Sequence, residues 1–246
     1  MFSKTNIKIN FTNFYYKLMD NKKNKIIKYG KKMCANYEPI ARSRAQLLNL
    51  LEPTFDYKAD LYPGYGGPIL ISTEHGIEWR SARFGLVPNW ADDIKKVRNT
   101  HNARSETVAS KPSFRHAWAN NQFCLIPVET IFEPKYIDGK SHWYGIYRQD
   151  DMPFTVAGIY EYAVVNGEPV VSMSMLTINA DMHPFMKQFH APDDEKRSIV
   201  VIPKGRRKDW LTCSHDQARE FLVDLPPDEY TAAPKNEMHK FRPNAH

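Results

Sequence analysis

The chain has 246 residues, with ordinary hydrophobic and high aromatic content, which suffices for one large domain or two small ones. No apolar run approaches the ~20 residues that a membrane-spanning helix needs, so we expect no membrane association. The three cysteines, Cys34, Cys124 and Cys213, have neither metal-type nor disulfide-type spacing. This argues against a secreted, disulfide-stapled fold and predicts a cytoplasmic protein without a metal or cofactor.

The net charge of +6 is concentrated in residues 1–32, which contain nine lysines and a single aspartate. The rest of the chain is close to neutral, so a nucleic-acid surface on it must be a local patch. Lys, Asn, Ile, Phe and Tyr dominate the first 32 residues, a composition unlike that of signal or transit peptides. We expect a non-native or disordered basic leader at 1–32, with synthesis beginning at Met33. The alternative is a genuine basic tail that contacts nucleic acid.

From Met33 onward, short helices and strands are predicted without internal repeats or regular βα alternation. Helices are predicted at 45–51 (capped by Ser43), 90–96, 114–120, 182–189, 207–211 and 216–222. Strands are predicted at 69–72, 77–86, 123–127, 143–147, 154–162, 170–178 and 198–203. This pattern predicts an α+β fold, a single domain at 33–223 around a curved, largely antiparallel sheet with flanking short helices. The Pro-rich stretch 224–246 is predicted to be an extended C-terminal tail.

Met33-Cys34 is the first local signal for chemistry. Removal of Met33 would leave Cys34 with a free amine and a thiol on adjacent carbons. Such a residue condenses with an aldehyde, first to an imine and then to a five-membered thiazolidine. The α-amine pKa is about 8, so a useful fraction is neutral and nucleophilic near pH 7. The alternative is that Cys34 is a small buried apolar residue.

Two neighbouring segments combine groups that suit nucleic-acid binding. The run FGLVPNW ends at Trp90, and the run NARSET begins at Asn102. An Asn can orient an amine, an Arg can hold a phosphate, and a Trp can stack on a base. The alternative is a polar loop in which Arg104 pairs with Glu106.

Glu133 and His190 are the candidate acid–base groups. Glu133 follows apolar residues at the predicted end of a strand, where partial burial would suit it to proton transfer. His190 ends the predicted helix 182–189, and a histidine titrates near neutral pH. The alternatives are a solvated carboxylate and a histidine stabilised by the helix dipole. His183 is a competing candidate for the acid–base role.

The order of these segments resembles a known family. After Met33-Cys34 come FGLVPNWA, NARSETV, KPSFRHAW, CLIPVETIFEP, LTINAD, MKQFH and VVIP. Together they resemble the SOS response-associated peptidase (SRAP) family, the abasic site processing proteins, over most of the chain from Met33 to Trp210.

The resemblance implies a single α+β domain that binds single-stranded DNA and forms a thiazolidine cross-link between N-terminal Cys34 and a ring-opened abasic sugar. It implies that Asn102 positions the Cys34 amine and the sugar. Glu133 would polarise or protonate the sugar oxygen, and His190 would act in ring opening and in reversal of the cross-link. The implied DNA groove is lined by Pro88, Trp90, Arg104, Ser105 and Arg115. The peptidase label implies removal of residues ahead of the cysteine.

The chain departs from the family pattern at three places. Glu129-Thr130 replaces an Asp-Gly, and Pro134 replaces the Trp that follows the glutamate in many relatives. Residues 191–196 are inserted after the histidine, where many relatives continue directly into an Arg-Met-Pro strand. Ala35-Asn36 replaces Gly-Arg, so we expect one DNA contact to be lost.

These observations favour an abasic-site processing enzyme, a hydrolase with possible lyase activity. We expect it to act as a monomer on single-stranded DNA in the cytoplasm, associated with the nucleoid when bound. The alternatives are a non-covalent single-stranded DNA-binding protein and a thiol peptidase.

Overall fold

The computed structural model describes residues 35–242, and none of the helices in this part is long and apolar enough to span a membrane. The strands are β1 (Asn36–Pro39), β2 (Gly66–Thr73), β3 (Gly76–Phe84), β4 (Asn102–Arg104), β5 (Phe123–Ile137), β6 (Lys140–Arg148), β7 (Phe154–Val165), β8 (Glu168–Asn179), β9 (Arg197–Ile199) and β10 (Tyr230–Pro234). The α-helices are α1 (Arg115–Ala119), α2 (Arg207–Thr212) and α3 (Met238–Phe241).

Five strands close into a barrel. β2 and β3 form a hairpin, β2 pairs with β5, β5 with β7, β7 with β8, and β8 with β3, which completes the ring. The β3–β8 and β4–β8 pairings are parallel, and the other strand pairings of the described residues are antiparallel. The sheet is therefore mixed but mostly antiparallel and curved on itself, which confirms the predicted α+β class.

Side chains of the barrel strands alternate between two apolar layers, as the two-residue period of a strand requires. Ile69 and Ile71 of β2 join one buried cluster, whereas Leu70 between them joins a second. The second cluster contains Trp118 of α1 and Trp210 of α2, which are almost fully buried. The short helices thus cover one face of the sheet.

β5 connects the barrel to a second group of strands. Residues 123–128 of β5 pair with β7, whereas residues 128–137 pair with β1 on one side and β6 on the other. Glu133 therefore lies in the interior of a 15-residue strand, and the prediction that it stands at a strand end is wrong. The sequence pattern ended this strand early because Glu129 and Thr130 break the apolar run, yet both are buried.

Residues 224–242 do not form the extended tail that the composition predicts. β10 pairs with β6, α3 follows, and Arg242 is only 3% exposed. A Pro-rich segment can form an edge strand when its prolines stand at the strand's limits. Here Pro227 precedes β10 and Pro234 ends it.

Three predicted helices are shorter or displaced. The segment 90–96 contains a 3-10 turn at Ile94–Lys96, and 182–189 contains one at Met186–Gln188. Pro184 disfavours helical backbone at the residue before it, which explains the late start of the second turn. The first helix is a 3-10 helix at Arg42–Leu48, with Ala41 rather than Ser43 at the capping position.

Candidate active site

Glu133 and His190 form a buried acid–base pair. The His190 Nε2 atom lies 3.0 Å from the Glu133 Oε2 atom, and the two side chains are 3% and 0% exposed. β5 supplies the carboxylate, and the loop after the 3-10 turn Met186–Gln188 supplies the imidazole. A carboxylate and an imidazole at this distance can pass a proton between them.

The backbone of His190 holds the imidazole against Glu133. His190 has a φ of +67°, a left-handed conformation in which His is one of the favoured non-glycine residues. Its N–H donates to the Pro134 carbonyl oxygen at 2.6 Å, and Lys135 forms isolated bridges with Phe189 and His190. These contacts tie the loop to β5 directly beside Glu133. Backbone conformations of this kind cluster at functional sites.

The hydrogen bonds of His190 assign its neutral tautomer. The Arg197 backbone N–H donates to His190 Nδ1 at 3.5 Å, so this nitrogen is the acceptor. The hydrogen of the neutral ring is therefore on Nε2, which donates to the Glu133 carboxylate.

His183, the competing candidate, has a structural role. Its Nδ1 accepts from the backbone N–H groups of Phe185 and Met186, both at 3.1 Å, and its Nε2 donates to the Leu225 carbonyl oxygen at 2.7 Å. Both ring nitrogens are thus used to hold backbone, and the side chain is buried. The geometry favours His190 over His183 as the acid–base group.

The first residue of β1 lies close to Glu133 along the paired strand β5. From Pro39 back to Asn36, the partners in β5 run from Val128 to Phe132, so the strand points toward Glu133. Cys34, the predicted nucleophile, precedes Asn36 by two positions and lies outside the described residues.

Asn36 is anchored by residues that the sequence did not single out. Its side-chain amide donates to Asp60 and to the Leu61 carbonyl oxygen, and its oxygen accepts from the Lys235 ammonium group. Lys235 also pairs with Asp60 at 3.0 Å. No local motif could reveal this cluster, because Lys235 and Asp60 are 175 positions apart.

Asn102, Arg104 and Ser105 are placed by β4 and the residue after it. Asn102 lies opposite Met175 and Arg104 opposite Thr177 in the parallel pairing with β8. The Ser105 N–H continues this pairing by donating to the Thr177 carbonyl oxygen at 2.9 Å. The three residues therefore line one short segment at the edge of the sheet.

Arg104 is linked to the His190 loop through Glu195. Arg104 Nη1 lies 2.8 Å from one Glu195 oxygen, and Arg197 Nη1 lies 2.8 Å from the other. Arg197 is 1% exposed and also pairs with Glu106 at 2.8 Å. Burial alone would raise the pKa of Glu106, but the hydrogen bonds and charge of Arg197, together with backbone hydrogen bonds, outweigh it and lower that pKa below its usual value. The inserted segment 191–196 thus contributes an acidic group to the predicted DNA groove.

The remaining predicted DNA contacts lie in the loops near α1. Trp90 is 62% exposed, and its Nε1–H donates to the Pro112 carbonyl oxygen at 3.3 Å. Pro88 is buried, whereas Arg115 is exposed at the first position of α1. Trp90 can therefore offer an aromatic face, while Pro88 can only shape the loop beneath it.

No group of three or more His, Cys, Asp or Glu side chains in residues 35–242 is arranged to hold a metal ion. Cys124 is fully buried, and burial raises the pKa of its thiol well above the usual range. The chemistry of the described site is thus that of an acid–base pair with adjacent polar and cationic groups.

The model of the SOS response associated peptidase (SRAP) family matches residues 31–239. Abasic site processing protein YoaM of Bacillus subtilis is 30% identical over 155 residues, which are 61% of this chain and 65% of YoaM. Abasic site processing protein HMCES of Gallus gallus is 26% identical over 201 residues, covering 69% of this chain and 58% of HMCES. The chain thus spans less than two thirds of the length of these relatives.

Two crystal structures have the same fold. A protein from Bordetella bronchiseptica has a TM-score of 0.78 and 33% identity, covering 82% of this chain and 99% of that chain. A protein from Bacteroides thetaiotaomicron has a TM-score of 0.68 and 20% identity, covering 84% and 94%. The family match extends over every strand and over the Glu133–His190 pair. The chain therefore belongs to the SOS response associated peptidase (SRAP) family.

Proposed function

We propose that this protein processes abasic sites in single-stranded DNA by forming a covalent cross-link through Cys34. The observation that carries the proposal is the buried Glu133–His190 pair, with its 3.0 Å contact, at the part of β5 toward which β1 points. The names of the relatives YoaM and HMCES support the choice of abasic sites as the substrate.

The proposed reaction is a condensation with loss of one water. The Cys34 amine attacks the aldehyde carbon of the ring-opened sugar, and the carbinolamine loses water to form an imine. The thiol sulfur then adds to the same carbon, and its proton moves to the nitrogen, which closes the thiazolidine ring. Each step moves a proton at oxygen, nitrogen or sulfur, so a positioned acid–base group accelerates it, typically ~10²–10⁴-fold.

The described residues supply these proton transfers. Glu133 protonates the sugar oxygen during ring opening and the departing hydroxyl during imine formation. Glu133 accepts a hydrogen bond from His190 Nε2, which orients the carboxylate and stabilises its charge once it has given up a proton, so the pair serves both ring opening and the reverse reaction. Asn102 orients the amine and the sugar from β4. The reverse reaction takes up one water and returns the aldehyde, which accounts for the release activity that we expect. Lyase activity would instead proceed from the imine by β-elimination, in which a base removes the C2′ proton and the 3′ phosphate departs.

The DNA backbone passes along β4 and the adjacent loops in this proposal. Arg104 and Ser105 contact phosphates, Trp90 stacks on a base, Pro88 shapes the loop, and Arg115 makes a further phosphate contact. Because Arg104 is paired with Glu195, a phosphate has to displace that carboxylate or share the guanidinium with it. We propose that the protein acts as a monomer, as the sequence suggests.

A free amine at Cys34 is a condition of this chemistry, because an amide nitrogen cannot form an imine. Residues ahead of Cys34 have to be removed by an aminopeptidase or by the protein itself. Removal by the protein itself is the peptidase activity that we propose. The intact mass of the mature protein tests this point, since a mass that includes Met1 would refute it.

The direct test is a denaturing gel with a single-stranded oligonucleotide that carries one abasic site. Protein beginning at Cys34 should give a shifted band, and Cys34→Ala should give none while still binding DNA. Glu133→Gln and His190→Gln should slow the cross-link by about 10²-fold or more. If wild-type protein binds the oligonucleotide but gives no covalent band, the cross-linking function is refuted and the protein is a non-covalent DNA-binding protein.

The chain offers a matched control for the His190 substitution. His116 Nδ1 lies 2.7 Å from the Glu161 carboxylate, so it is also a histidine paired with a buried glutamate. His116 belongs to α1 and Glu161 to β7, so this pair lies outside the region where β1 and β5 meet. His116→Gln should leave the cross-linking rate at saturating DNA unchanged. Equal slowing by His116→Gln and His190→Gln would contradict the proposed role of His190.

A further inference from the structure

An exposed tryptophan lies on β6, one strand away from Glu133 and on the opposite face of the sheet from the Glu133 side chain. Trp143 of β6 is directly opposite Pro134 of β5, the residue after Glu133, and is 42% exposed. Paired residues of an antiparallel ladder present their side chains on the same face, so the Trp143 indole lies on the face of Pro134 and not on that of Glu133.

The C-terminal segment covers part of this face and ends beside the tryptophan. Phe132, Pro134 and Tyr136 alternate along β5 and therefore share the face of Trp143. The Lys235 Nζ atom lies 4.0 Å from the Phe132 ring centroid, and Phe132 is buried. Further along the strand, Tyr136 is 38% exposed. The exposed part of this aromatic surface thus consists of Trp143 and Tyr136, beyond the buried Pro134.

Aromatic and cationic side chains continue on the other side of Lys235. The Lys235 Nζ atom lies 3.4 Å from the Tyr62 hydroxyl, and the Tyr62 and Tyr65 rings are 6.2 Å apart. The Lys58 Nζ atom lies 3.8 Å from the Tyr65 ring centroid. Tyr62 and Tyr65 are 43% and 40% exposed. We call the surface formed by Tyr65, Tyr62, Lys235, Trp143 and Tyr136, together with Lys58, the aromatic track.

We propose that the aromatic track binds single-stranded DNA by stacking on its bases, with Trp143 as the principal contact. This inference rests on the proposed function and adds a binding subsite on the β6 side of the reaction centre, away from β4 and Trp90. Exposed aromatic rings interleaved with ammonium groups are what a base-stacking, phosphate-attracting groove requires. The alternation of aromatic rings and lysine ammonium groups distinguishes the track from an ordinary apolar patch.

The position of the track relative to β1 supports this assignment. Asn36 lies opposite Phe132, on the same face, and is held by Lys235. A strand of DNA whose abasic sugar reaches the start of β1 can therefore place an adjacent nucleotide on this face, over Trp143. Stacking on Trp143 would hold that nucleotide while the neighbouring sugar, which lacks a base, enters the site.

The test measures binding of an undamaged oligothymidylate longer than about 16 nucleotides, which exceeds typical site sizes. Trp143→Ala should weaken binding by roughly fivefold to a hundredfold, and Trp143→Phe should recover most of the affinity because a ring remains. The matched control is Tyr162→Ala, which removes a 49% exposed aromatic residue from β7 and should leave the affinity unchanged. Equal affinities for wild type and Trp143→Ala, or equal losses for Trp143→Ala and Tyr162→Ala, would overturn the proposal.

A second measurement needs no variant. Ultraviolet cross-linking of wild-type protein to an oligonucleotide containing 5-iodouracil, followed by peptide mass spectrometry, should label Trp143 or Tyr62. Labelling confined to Trp90 and α1 would refute the track. Because both experiments use non-covalent binding, they remain distinct from the abasic-site assay, whose failure would reject the cross-linking function and not the track.

Discussion

Arg242 should contribute strongly to stability even though it belongs to a segment whose composition suggests a tail. It donates to Glu129 Oε2 at 3.1 Å, to Thr130 Oγ1 at 2.7 Å and to Asp151 Oδ1 at 2.5 Å. Glu129 is 3% exposed and, when Arg242 is removed, keeps its ion pair with Arg44 at 3.0 Å and a hydrogen bond from the Ala41 backbone N–H at 3.4 Å. Breaking a buried ion pair on one side costs about 3–5 kcal/mol. Because Arg44 remains, we expect a loss near the lower limit, about 3 kcal/mol, for Arg242→Ala.

Urea unfolding followed by tryptophan fluorescence measures this loss. Arg242→Lys should fall between wild type and Arg242→Ala, since an ammonium group keeps the charge but cannot reach Glu129 and Asp151 together. The control is Arg42→Ala, whose pair with Asp56 is solvent-exposed and worth less than about 1 kcal/mol. If Arg242→Ala and Arg42→Ala lose the same free energy of unfolding, the C-terminal residues do not anchor the domain as described.

Three further outcomes are expected. Glu195→Gln should tighten single-stranded DNA binding by up to about fivefold, because Arg104 loses a competing carboxylate, and should steepen the logarithmic salt dependence by about 0.7; weaker binding would contradict it. Alkylation of the native protein at pH 7.5 should modify Cys34 long before Cys124, because burial raises the pKa of the Cys124 thiol; equal rates in a peptide map would contradict the assignment. His183→Ala should lower the free energy of unfolding by about 1–3 kcal/mol, while the folded fraction keeps its cross-linking rate. A slower cross-linking rate without a loss of stability would instead favour His183 over His190 as the acid–base group.

Local sequence patterns predicted those features of the structure that depend on residues close to one another in the sequence. The alternation of apolar residues predicted most strands of the barrel, and the family motifs indicated the residues that form the Glu133–His190 pair. The length of β5 was missed because Glu129 and Thr130 are residue types that usually face solvent. In the structure both are buried: Arg44 and Arg242 neutralise the charge of Glu129, and Arg242 donates a hydrogen bond to Thr130. A pattern that reads one segment at a time cannot anticipate partners this distant.

The surroundings of the site were missed for the same reason. Lys235 and Asp60 hold Asn36 from opposite ends of the chain, and no spacing rule connects them. The competition of Glu195 for Arg104 also depends on how the inserted segment 191–196 folds back toward β4. Residue types with clear chemistry were visible in the sequence, whereas the neighbours that orient or oppose them became visible only in three dimensions.

The contact between the two ends of the described chain bears on when the protein becomes competent during its synthesis. Lys235 holds Asn36, and Arg242 lies 3.7 Å from Glu38, so the surroundings of β1 are completed by residues that the ribosome adds long after β1 itself. At about 5–20 residues per second, roughly 10–40 s pass between translation of Cys34 and of Lys235. Under the proposed function, an aminopeptidase therefore has time to remove the residues ahead of Cys34 on the nascent chain, whereas removal by the protein itself has to wait until the surroundings of β1 are complete.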